Sequence, residues 1–478
     1  MKILVLNPPY LKDFCRSARW AARSRGRVQR HPDWLLIAVG VLERAGHRVK
    51  FIDGPVHQMS REEVAGEIGD FLPELAVIHT TTPSIYNDIS YAALVKEKAP
   101  RALTILVGPH ASALPVETLR LAGTAVDAVA VGEYDYTLRD LAEGTPLRGV
   151  KGLYYREDGR AIYTSDRPEL DVNELPFPAW HHIKPEWYHD AGKKHPFITL
   201  ISGRGCFGAC TFCRDTQTMY GRKLRLRDPA LVVDEIEYDL KLFPYLQEIM
   251  FETDTFVASS DYVKRVCEEM MRRNVNVPWS CNVRVDMDLD LLPLMKRAGC
   301  RMLMTGFEFG TNEALRAVKK GITIEQSTKF AKEAHKLGFV IHGCFMIGAP
   351  GETPESARKT IEFAKSLPLD TIQISGICAY PGTEIYQWAK ENGHLVPREW
   401  TEWVDENGEQ VTILSYPDFS KEEMDAVIDE GLKGFYLRPM QMLRMLANIR
   451  DIGDLKRKVY GLASFFDYFS VRNKGSRV

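Results

Sequence analysis

The sequence lacks the long apolar runs of membrane-spanning and secreted proteins. No stretch approaches the roughly 18 consecutive apolar residues of a membrane span, and MKILVLNPPY at the start is no secretory signal. The formal net charge is only −2 on 478 residues, so charge gives no reason to expect a nucleic-acid partner. Internal repeats and low-complexity segments are also lacking. These absences predict a cytoplasmic protein, and its length of 478 residues predicts two or three globular domains.

Cysteine is too scattered for a disulfide framework. The chain has nine cysteines, an odd number, and most lie far apart, which favours reduced and buried thiols. The scattered ones are Cys15, Cys267, Cys281, Cys300, Cys344 and Cys378. The other three, Cys206, Cys210 and Cys213, fall within eight positions of the stretch GRGCFGACTFCRD, directly behind the apolar run FITLIS. This trio is a candidate metal site.

Strand and helix patterns alternate over the first third of the chain. Five short β-branched runs, KILVLN, VKFID, LAVIHT, LTILVG and DAVAVG, alternate with stretches whose apolar residues recur every 3.6 positions. This alternation predicts a parallel, doubly wound (Rossmann-like) α/β domain over residues 1–147. Because such folds bind ligands at the carboxyl ends of their strands, the loops there are candidate binding segments.

Three further regions follow this domain. Residues 148–192 are predicted as a hairpin, turning at Asp158-Gly159, and a proline-rich linker. Residues 193–414 contain six strand patterns, and the first five are each followed by a helix pattern. Such an order predicts a partial (β/α)6 barrel of the TIM type, with its chemistry at the carboxyl ends of the strands. Residues 415–478 have helical periodicity only.

The cysteine trio has one ligand too few for a structural zinc site. Such a site needs four ligands, and no His or Cys follows Cys213 until Cys267, on a separate predicted helix. Three thiolates suit a [4Fe-4S] cluster with one open iron, where a small molecule can be the fourth ligand. Gly203, Gly205 and Gly208 let the backbone wrap closely around a cluster. The alternative, three buried structural cysteines, is disfavoured because the loop is polar, glycine-rich and follows a strand.

The trio resembles the cluster motif of the radical S-adenosylmethionine (SAM) enzymes. Its spacing is C-x3-C-x2-C, with the aromatic Phe212 just before the last cysteine. The resemblance implies that SAM chelates the fourth iron through its amino and carboxylate groups. One electron from the cluster then cleaves SAM to methionine and a 5′-deoxyadenosyl radical. A reductant protein such as flavodoxin or ferredoxin is implied as a partner.

The resemblance continues along the predicted barrel. FETD ends the second strand, where this family contacts the SAM amino group. NVRVD ends the third strand, where Arg284 is a candidate partner of the SAM carboxylate. The alternative for Arg284 is a surface arginine. GFEFG resembles the fourth-strand G-x-E, whose carboxylate binds the ribose hydroxyls, and GCFMIGAPGE resembles the fifth-strand segment beside the adenine. The implied SAM-binding residues are Phe212, Glu252, Asp254, Arg284, Gly306, Glu308, Gly348 and Gly351.

The first domain resembles the cobalamin-binding domains that precede some radical SAM barrels, through MKILVLNPPY, LVGPHASALP and AVGEYDYTL. The D-x-H-x-x-G signature of a protein histidine ligand to cobalt is absent, because GPVHQM follows Asp53. Cobalamin, if bound, is therefore expected without such a ligand. The alternative is a domain that kept the fold and lost the cofactor. The candidate cobalamin contacts are Thr80, Thr81, Ser84, Gly108, His110, Gly132, Glu133 and Tyr134.

Two segments are rich in basic residues. Residues 12–31 carry six arginines and one lysine against one acid, which is typical of a solvated, flexible segment. Alternatively, they fold over a phosphate-bearing ligand. Residues 435–478 carry nine Lys or Arg against three Asp, interleaved with apolar residues. They are predicted either as two helices docked on the barrel or as a basic amphipathic helix on an anionic membrane, which would suit a lipid substrate.

The resemblance as a whole implies a cobalamin-dependent radical SAM enzyme, foremost a methyltransferase acting on an unactivated carbon of a small-molecule or lipid substrate. Through GRGC, CTFC, GAPGET and YPGTEIY, the barrel and tail also resemble radical enzymes of hopanoid tailoring. This leaves a radical rearrangement or ring contraction on a lipid-linked substrate as one alternative, and a non-catalytic cobalamin or iron–sulfur sensor as another. The sequence does not identify catalytic residues, since His342, Tyr380 and Trp388 suit a pocket and a core equally.

Overall fold

Two largely parallel sheets organise the chain. The computed structural model describes residues 1–447, 449 and 451–475. The first sheet has seven strands in the order β2-β1-β3-β4-β5-β6-β7. Its strands are β1 (Lys2–Asn7), β2 (Arg48–Asp53), β3 (Leu75–His79), β4 (Leu103–Val107), β5 (Ala128–Ala130), β6 (Leu153–Glu157) and β7 (Arg160–Tyr163). The helices are α1 (Asp33–Arg44), α2 (Gly54–His57), α3 (Arg61–Phe71), α4 (Ile85–Lys98), α5 (Pro109–Ala113), α6 (Pro115–Ala122) and α7 (Asp135–Ala142).

The first sheet is covered by helices on both faces. Strands β1 to β5 are parallel. Alternate strand residues enter two separate apolar cores, one with Leu35 of α1 and Leu138 of α7, the other with Val64 of α3 and Val95 of α4. Strands buried on both faces explain the continuous apolar runs of the sequence. The doubly wound fold is confirmed.

The predicted hairpin becomes part of the first sheet. It turns at Asp158-Gly159, whose φ angles of 49° and 77° suit a tight turn between twisted strands. Strand β6 pairs antiparallel with β5, so this sheet continues to Tyr163, beyond the boundary expected at residue 147. The hairpin covers the edge that β5 would otherwise expose.

The second sheet is the expected partial barrel of six strands. Its six parallel strands have the order β15-β14-β13-β12-β11-β8, and β9 and β10 form a separate short ribbon. The strands are β8 (Phe197–Leu200), β9 (Gly203–Arg204), β10 (Arg225–Leu226), β11 (Glu248–Phe251), β12 (Trp279–Val283), β13 (Cys300–Glu308), β14 (Val340–Ile347) and β15 (Thr371–Gly376). The helices are α8 (Arg214–Thr218), α9 (Pro229–Leu242), α10 (Ser260–Arg272), α11 (Leu292–Arg297), α12 (Asn312–Ala317), α13 (Ile324–Lys336), α14 (Pro354–Ser366) and α15 (Glu384–Glu391).

The arginine-rich segment, residues 12–31, spans the open side of the partial barrel. At one edge, Arg25 Nη1 donates to the carbonyl oxygen of Ile374 in β15 at 2.5 Å. At the other edge, the ring of His31 packs against the ring of Phe197 in β8, with the two centroids 5.1 Å apart. The segment is therefore held between the two unpaired barrel edges. The interpretation of residues 12–31 as solvated and flexible is wrong, because Arg16 pairs with Asp88 of the first domain, and Arg27 and Arg30 pair with Glu409 and Glu252.

The C-terminal region is helical, as predicted. Its helices are α16 (Lys421–Tyr436), α17 (Pro439–Ala447) and α18 (Ile452–Gly475). The Tyr436 hydroxyl hydrogen-bonds the amide nitrogen and the carbonyl oxygen of Ile372, at 2.9 and 2.7 Å, and so satisfies exposed backbone groups at the β15 edge.

Candidate active site at the strand ends

The cysteine trio lies in the loop between β9 and α8. All three thiols are free of disulfides. A Cβ atom built at Gly208 would lie 3.4 Å from Cys206 Sγ and 3.8 Å from Cys210 Sγ, so the two sulfurs converge on the space that this glycine leaves open. Gly205 has φ +82°, and a Cβ atom there would lie 2.1 Å from the Lys223 carbonyl oxygen. Converging thiols on a tightly wrapped backbone fit a [4Fe-4S] cluster.

Ion pairs tie the cluster loop to the N-terminal domain. On β9, Arg204 Nη1 lies 2.7 Å from Asp135 Oδ2, and on β10, Arg225 Nη1 lies 2.7 Å from Glu133 Oε2. The Arg204 side chain is 1% exposed. Tyr134 is buried in the core of the first domain. Glu133 and Tyr134 therefore serve the fold, and their contact with cobalamin stays a prediction.

Glu308 of the G-x-E segment is held by a lysine that the sequence patterns do not single out. Lys320 Nζ lies 2.6 Å from Glu308 Oε1, and both side chains are at most one-tenth exposed. Glu308 has φ +65°, a conformation that costs about 1–3 kcal/mol in a non-glycine residue and concentrates at functional sites. A Cβ atom at Gly306 would lie 2.2 Å from Glu308 Oε1, which explains the glycine. The carboxylate is thus folded back over its own strand and fixed in place.

Arg284 lies beside the cysteine sulfurs. Its Nη1 is 3.5 Å from the Cβ position of Gly208, between Cys206 and Cys210. The side chain is 11% exposed and pairs with Asp286 at 2.9 Å, so the alternative of a surface arginine is wrong. A guanidinium at this position can pair with a carboxylate held on the cluster.

A glycine turn follows β14, where the adenine of SAM is expected. Gly348 has φ +99° and Gly351 has φ +78°, values that favour glycine. The Gly348 amide donates to Glu352 Oε2 at 2.5 Å, and its carbonyl oxygen accepts a hydrogen bond from the Tyr416 hydroxyl at 2.6 Å. Burial raises the pKa of Glu352 to about 7, although the amides of Gly348 and Ala349 oppose this. Glu352, to which the sequence patterns give no role, therefore fixes the turn.

The acids that end β11 are paired with the arginine-rich segment. Arg30 Nη1 lies 2.6 Å from Glu252 Oε2, and Arg19 Nη2 lies 3.0 Å from Asp254 Oδ1. Burial raises the pKa of Asp254 to about 6, against the opposing effect of Arg19. Glu252 and Asp254, the predicted contacts of the SAM amino group, are therefore already ion-paired with arginines near the N-terminus.

The predicted cobalamin loops lie at the carboxyl edge of the first sheet, next to the cluster loop. Gly108 has φ +107°, and a Cβ atom there would lie 2.7 Å from the Thr80 carbonyl oxygen. A Cβ atom at Gly382 would lie 2.6 Å from Thr218 Cγ2 of α8 and 3.0 Å from Ala113 Cβ of α5. Helix α8, after the cysteine trio, and helix α5, after Gly108, therefore pack against each other.

The hydroxyl groups after β3 bond within the protein. The Thr80 hydroxyl donates to the Val107 carbonyl oxygen at 2.8 Å, and the Thr81 and Ser84 hydroxyls lie 2.6 Å apart. The Gly132 amide, after β5, donates to Ser112 Oγ at 3.0 Å. These contacts use part of the hydrogen-bonding capacity of the Thr80, Thr81 and Ser84 hydroxyls. Their contact with cobalamin stays a prediction.

Two histidines at the same edge have unpaired ring nitrogens. His110 Nε2 and His79 Nδ1 are buried and have no hydrogen-bond partner among the described residues. Burial lowers the pKa of His110 to about 3 and also lowers the pKa of His79, so both rings are neutral. Unpaired buried polar atoms at a ligand-binding edge fit an occupant that supplies partners.

Two family models match the chain. Residues 25–142 match the B12 binding domain, and residues 200–364 match the radical SAM superfamily. An uncharacterized methyltransferase of Pyrococcus horikoshii is 28% identical, over 97% of this chain and 98% of that protein. An anaerobic magnesium-protoporphyrin IX monomethyl ester cyclase of Rubrivivax gelatinosus is 26% identical, over 74% of this chain and 66% of that protein. A cytidylyl-2-hydroxyethylphosphonate methyltransferase of Streptomyces wedmorensis is 25% identical, over 83% of each chain.

A solved structure supports the same arrangement of domains. The radical SAM methyltransferase TsrM from Kitasatospora setae, with cobalamin and a [4Fe-4S] cluster bound, superposes with a TM-score of 0.71. The match covers 97% of this chain and 99% of that one at 16% identity, which shows the shared fold alone. The chain is therefore an enzyme with a B12-binding domain, residues 25–142, ahead of a radical SAM domain, residues 200–364.

Proposed function

We propose that this protein is a cobalamin-dependent methyltransferase that activates a substrate carbon through a 5′-deoxyadenosyl radical. The observation that carries the proposal is the contact between α8, the helix after the cysteine trio, and α5, the helix after Gly108. Methyl transfer by this route needs the radical source and the methyl carrier on either side of one substrate. Similarity to an uncharacterized methyltransferase over 97% of this chain supports the same activity.

The chain's own residues bind and orient the cofactors. Three thiols would hold the cluster, whose chemistry when bound is one-electron cleavage of SAM. Arg284 would pair with the SAM carboxylate, and Glu308, fixed by Lys320, would accept hydrogen bonds from the ribose hydroxyls. The turn held by Glu352 would approach the adenine. Each of these groups is already fixed by a neighbour, so little reorganisation is required on binding.

The test measures the products of SAM. We expect the anaerobically reconstituted protein, with cobalamin, SAM and a strong reductant, to release both 5′-deoxyadenosine and S-adenosylhomocysteine. Omitting cobalamin is the control and should remove the S-adenosylhomocysteine, because no methyl acceptor is then present. Release of 5′-deoxyadenosine alone would favour the rearrangement alternative. The similarity to a cyclase is the observation that favours this alternative. Release of neither product would contradict both enzymatic proposals and favour the sensor.

An electron donor such as flavodoxin or ferredoxin is part of the proposal, because the cluster must be reduced before it cleaves SAM. Replacing the chemical reductant with a reduced flavodoxin should sustain deoxyadenosine release.

The two last helices support a contact with an anionic lipid surface, which we also propose. Among the described helices, none is both long and apolar enough to span a bilayer. Helix α18 nevertheless exposes apolar side chains at alternating spacings of three and four residues, and α17 adds more. These exposed residues are Met440, Met442, Leu443, Leu446, Ile452, Leu455, Val459, Leu462 and Phe466. With nine basic residues against three acids between residues 435 and 478, anionic lipid is the complementary partner.

The membrane proposal predicts vesicle binding. We expect the protein to sediment with vesicles of phosphatidylcholine and phosphatidylglycerol in equal parts, less so with phosphatidylcholine alone, and less so as salt rises. The double substitution Val459→Glu and Leu462→Glu should abolish sedimentation, because it places charge in the apolar face. Val116→Glu, at an equally exposed site on α6, is the matched control. Equal vesicle binding by the double variant and by Val116→Glu would refute the proposal. It would also be refuted if this apolar face were a dimer interface, that is, if the wild type were a dimer and Leu462→Glu a monomer.

A further inference from the structure

Two histidines and a glutamate converge far along the chain from the cofactor residues. His181 and His182 lie in a 3-10 turn of the linker, and Glu43 lies in the last turn of α1. His182 Nε2 is 2.8 Å and His181 Nε2 is 3.2 Å from the same oxygen, Glu43 Oε1. One atom from each of the three side chains lies within 4.8 Å of the other two.

We propose that Glu43, His181 and His182 form a site for a divalent transition-metal ion, with Zn²⁺ as the representative ion. Two imidazole nitrogens and one carboxylate oxygen make a ligand set that zinc prefers, and the fourth position is left for water. Ligand atoms around a tetrahedral zinc ion lie about 3.4 Å apart, which follows from bonds of about 2.0–2.1 Å. The two nitrogen–oxygen distances, 2.8 and 3.2 Å, are about 0.6 and 0.2 Å shorter than this value, so the side chains would move slightly apart around an ion.

The surroundings leave room for an ion. His181 is half-exposed, and His182 and Glu43 are about one-quarter exposed, so a water ligand can reach the open side. Binding of an ion needs neutral imidazoles whose Nε2 lone pairs face it, so the ion would replace the two hydrogen bonds to Glu43 Oε1.

Metal binding would join the linker to the N-terminal domain. The linker already touches α1 through the Ala179 amide, which donates to the Leu36 carbonyl oxygen at 3.0 Å. At the opposite end of α1, Asp33 bonds Thr199 of the barrel. A metal at the last turn of α1 would therefore restrain the linker between the two sheets and favour their observed arrangement.

The experiment is a calorimetric titration of cluster-reconstituted protein with zinc chloride. We expect the wild type to bind one more zinc ion than the double variant His181→Ala and His182→Ala. In Glu43→Gln, the affinity of that ion should be at least about tenfold weaker than in the wild type. His335→Ala, at an exposed histidine of α13, is the matched control and should bind as the wild type does. Because the cysteine trio is the same in every variant, zinc bound there cancels in the comparison.

A second measurement keeps the proposal open to refutation. Zinc should raise the melting temperature of the wild type and of His335→Ala, but not that of the double variant, because an ion that binds only the folded state stabilises it. Identical titrations in the wild type and the double variant would overturn the proposal. A melting temperature that zinc leaves unchanged in all proteins would also overturn it.

Discussion

Replacing Cys206, Cys210 and Cys213 together with alanine is expected to abolish SAM cleavage. The three thiolates are the proposed ligands of the cluster, and the cluster supplies the electron that the cleavage needs. The variant should contain no cluster iron, lack the visible absorption of a [4Fe-4S] cluster, and release no 5′-deoxyadenosine above the level of a reaction without protein. Iron analysis, the visible spectrum and product chromatography check this.

A matched control separates the loss of the cluster from a loss of folding. Cys267→Ala removes one buried thiol on α10, outside the cluster loop, and should retain full iron content and activity. Circular dichroism should show both proteins folded. If the triple variant still assembled the cluster and cleaved SAM, the assignment of the trio would be wrong.

Lys320→Met is expected to reduce both stability and SAM affinity. It removes the partner of Glu308 and leaves a carboxylate that is only one-tenth exposed without its cation. Breaking a buried ion pair in this way costs about 3–5 kcal/mol in the free energy of unfolding. Because Glu308 is the proposed ribose contact, SAM affinity should fall about tenfold or more, as measured by equilibrium binding to the reconstituted protein.

The adjacent lysine provides the control. Lys319 pairs with Glu384 at the surface, where both side chains are about half-exposed, and such pairs contribute only about 0–1 kcal/mol. Lys319→Met should therefore change neither stability nor SAM affinity appreciably.

A double variant separates the structural role of the pair from its role in binding. Lys320→Met combined with Glu308→Leu removes both charges, which should restore much of the stability because no charge is left unpaired. SAM affinity should stay low, since the carboxylate is gone. Recovery of SAM binding in the double variant would contradict the role given to Glu308.

The parts of the site that the sequence predicted are those coded over short distances along the chain. The cysteine trio lies within eight positions, and its meaning follows from ligand count and spacing. Glu308 and Gly348 lie at the ends of apolar strand patterns, and their roles are implied by the resemblance to the radical SAM enzymes. The fold itself was also predictable, since alternation of the two periods specifies parallel α/β layers.

The hairpin shows where local reasoning stops. Its turn at Asp158-Gly159 was predicted correctly, but its pairing with β5 was not, because strand pairing depends on which sheet edge is left open. The arginine-rich segment is a second case. Its composition indicated a solvated segment, yet Arg30 pairs with Glu252, which is 222 positions away along the chain.

The sequence alone determined the two-domain α/β architecture and the position of the cysteine trio, because both depend on periodicity and close spacing. Only the tertiary structure revealed the pairing of Lys320 with Glu308, the arginine bridge to the β11 acids, and the convergence of Glu43 with the two histidines. Each of these contacts joins elements that are separate along the chain. Local propensity cannot specify such contacts, since they form only when packing of the apolar faces brings the elements together.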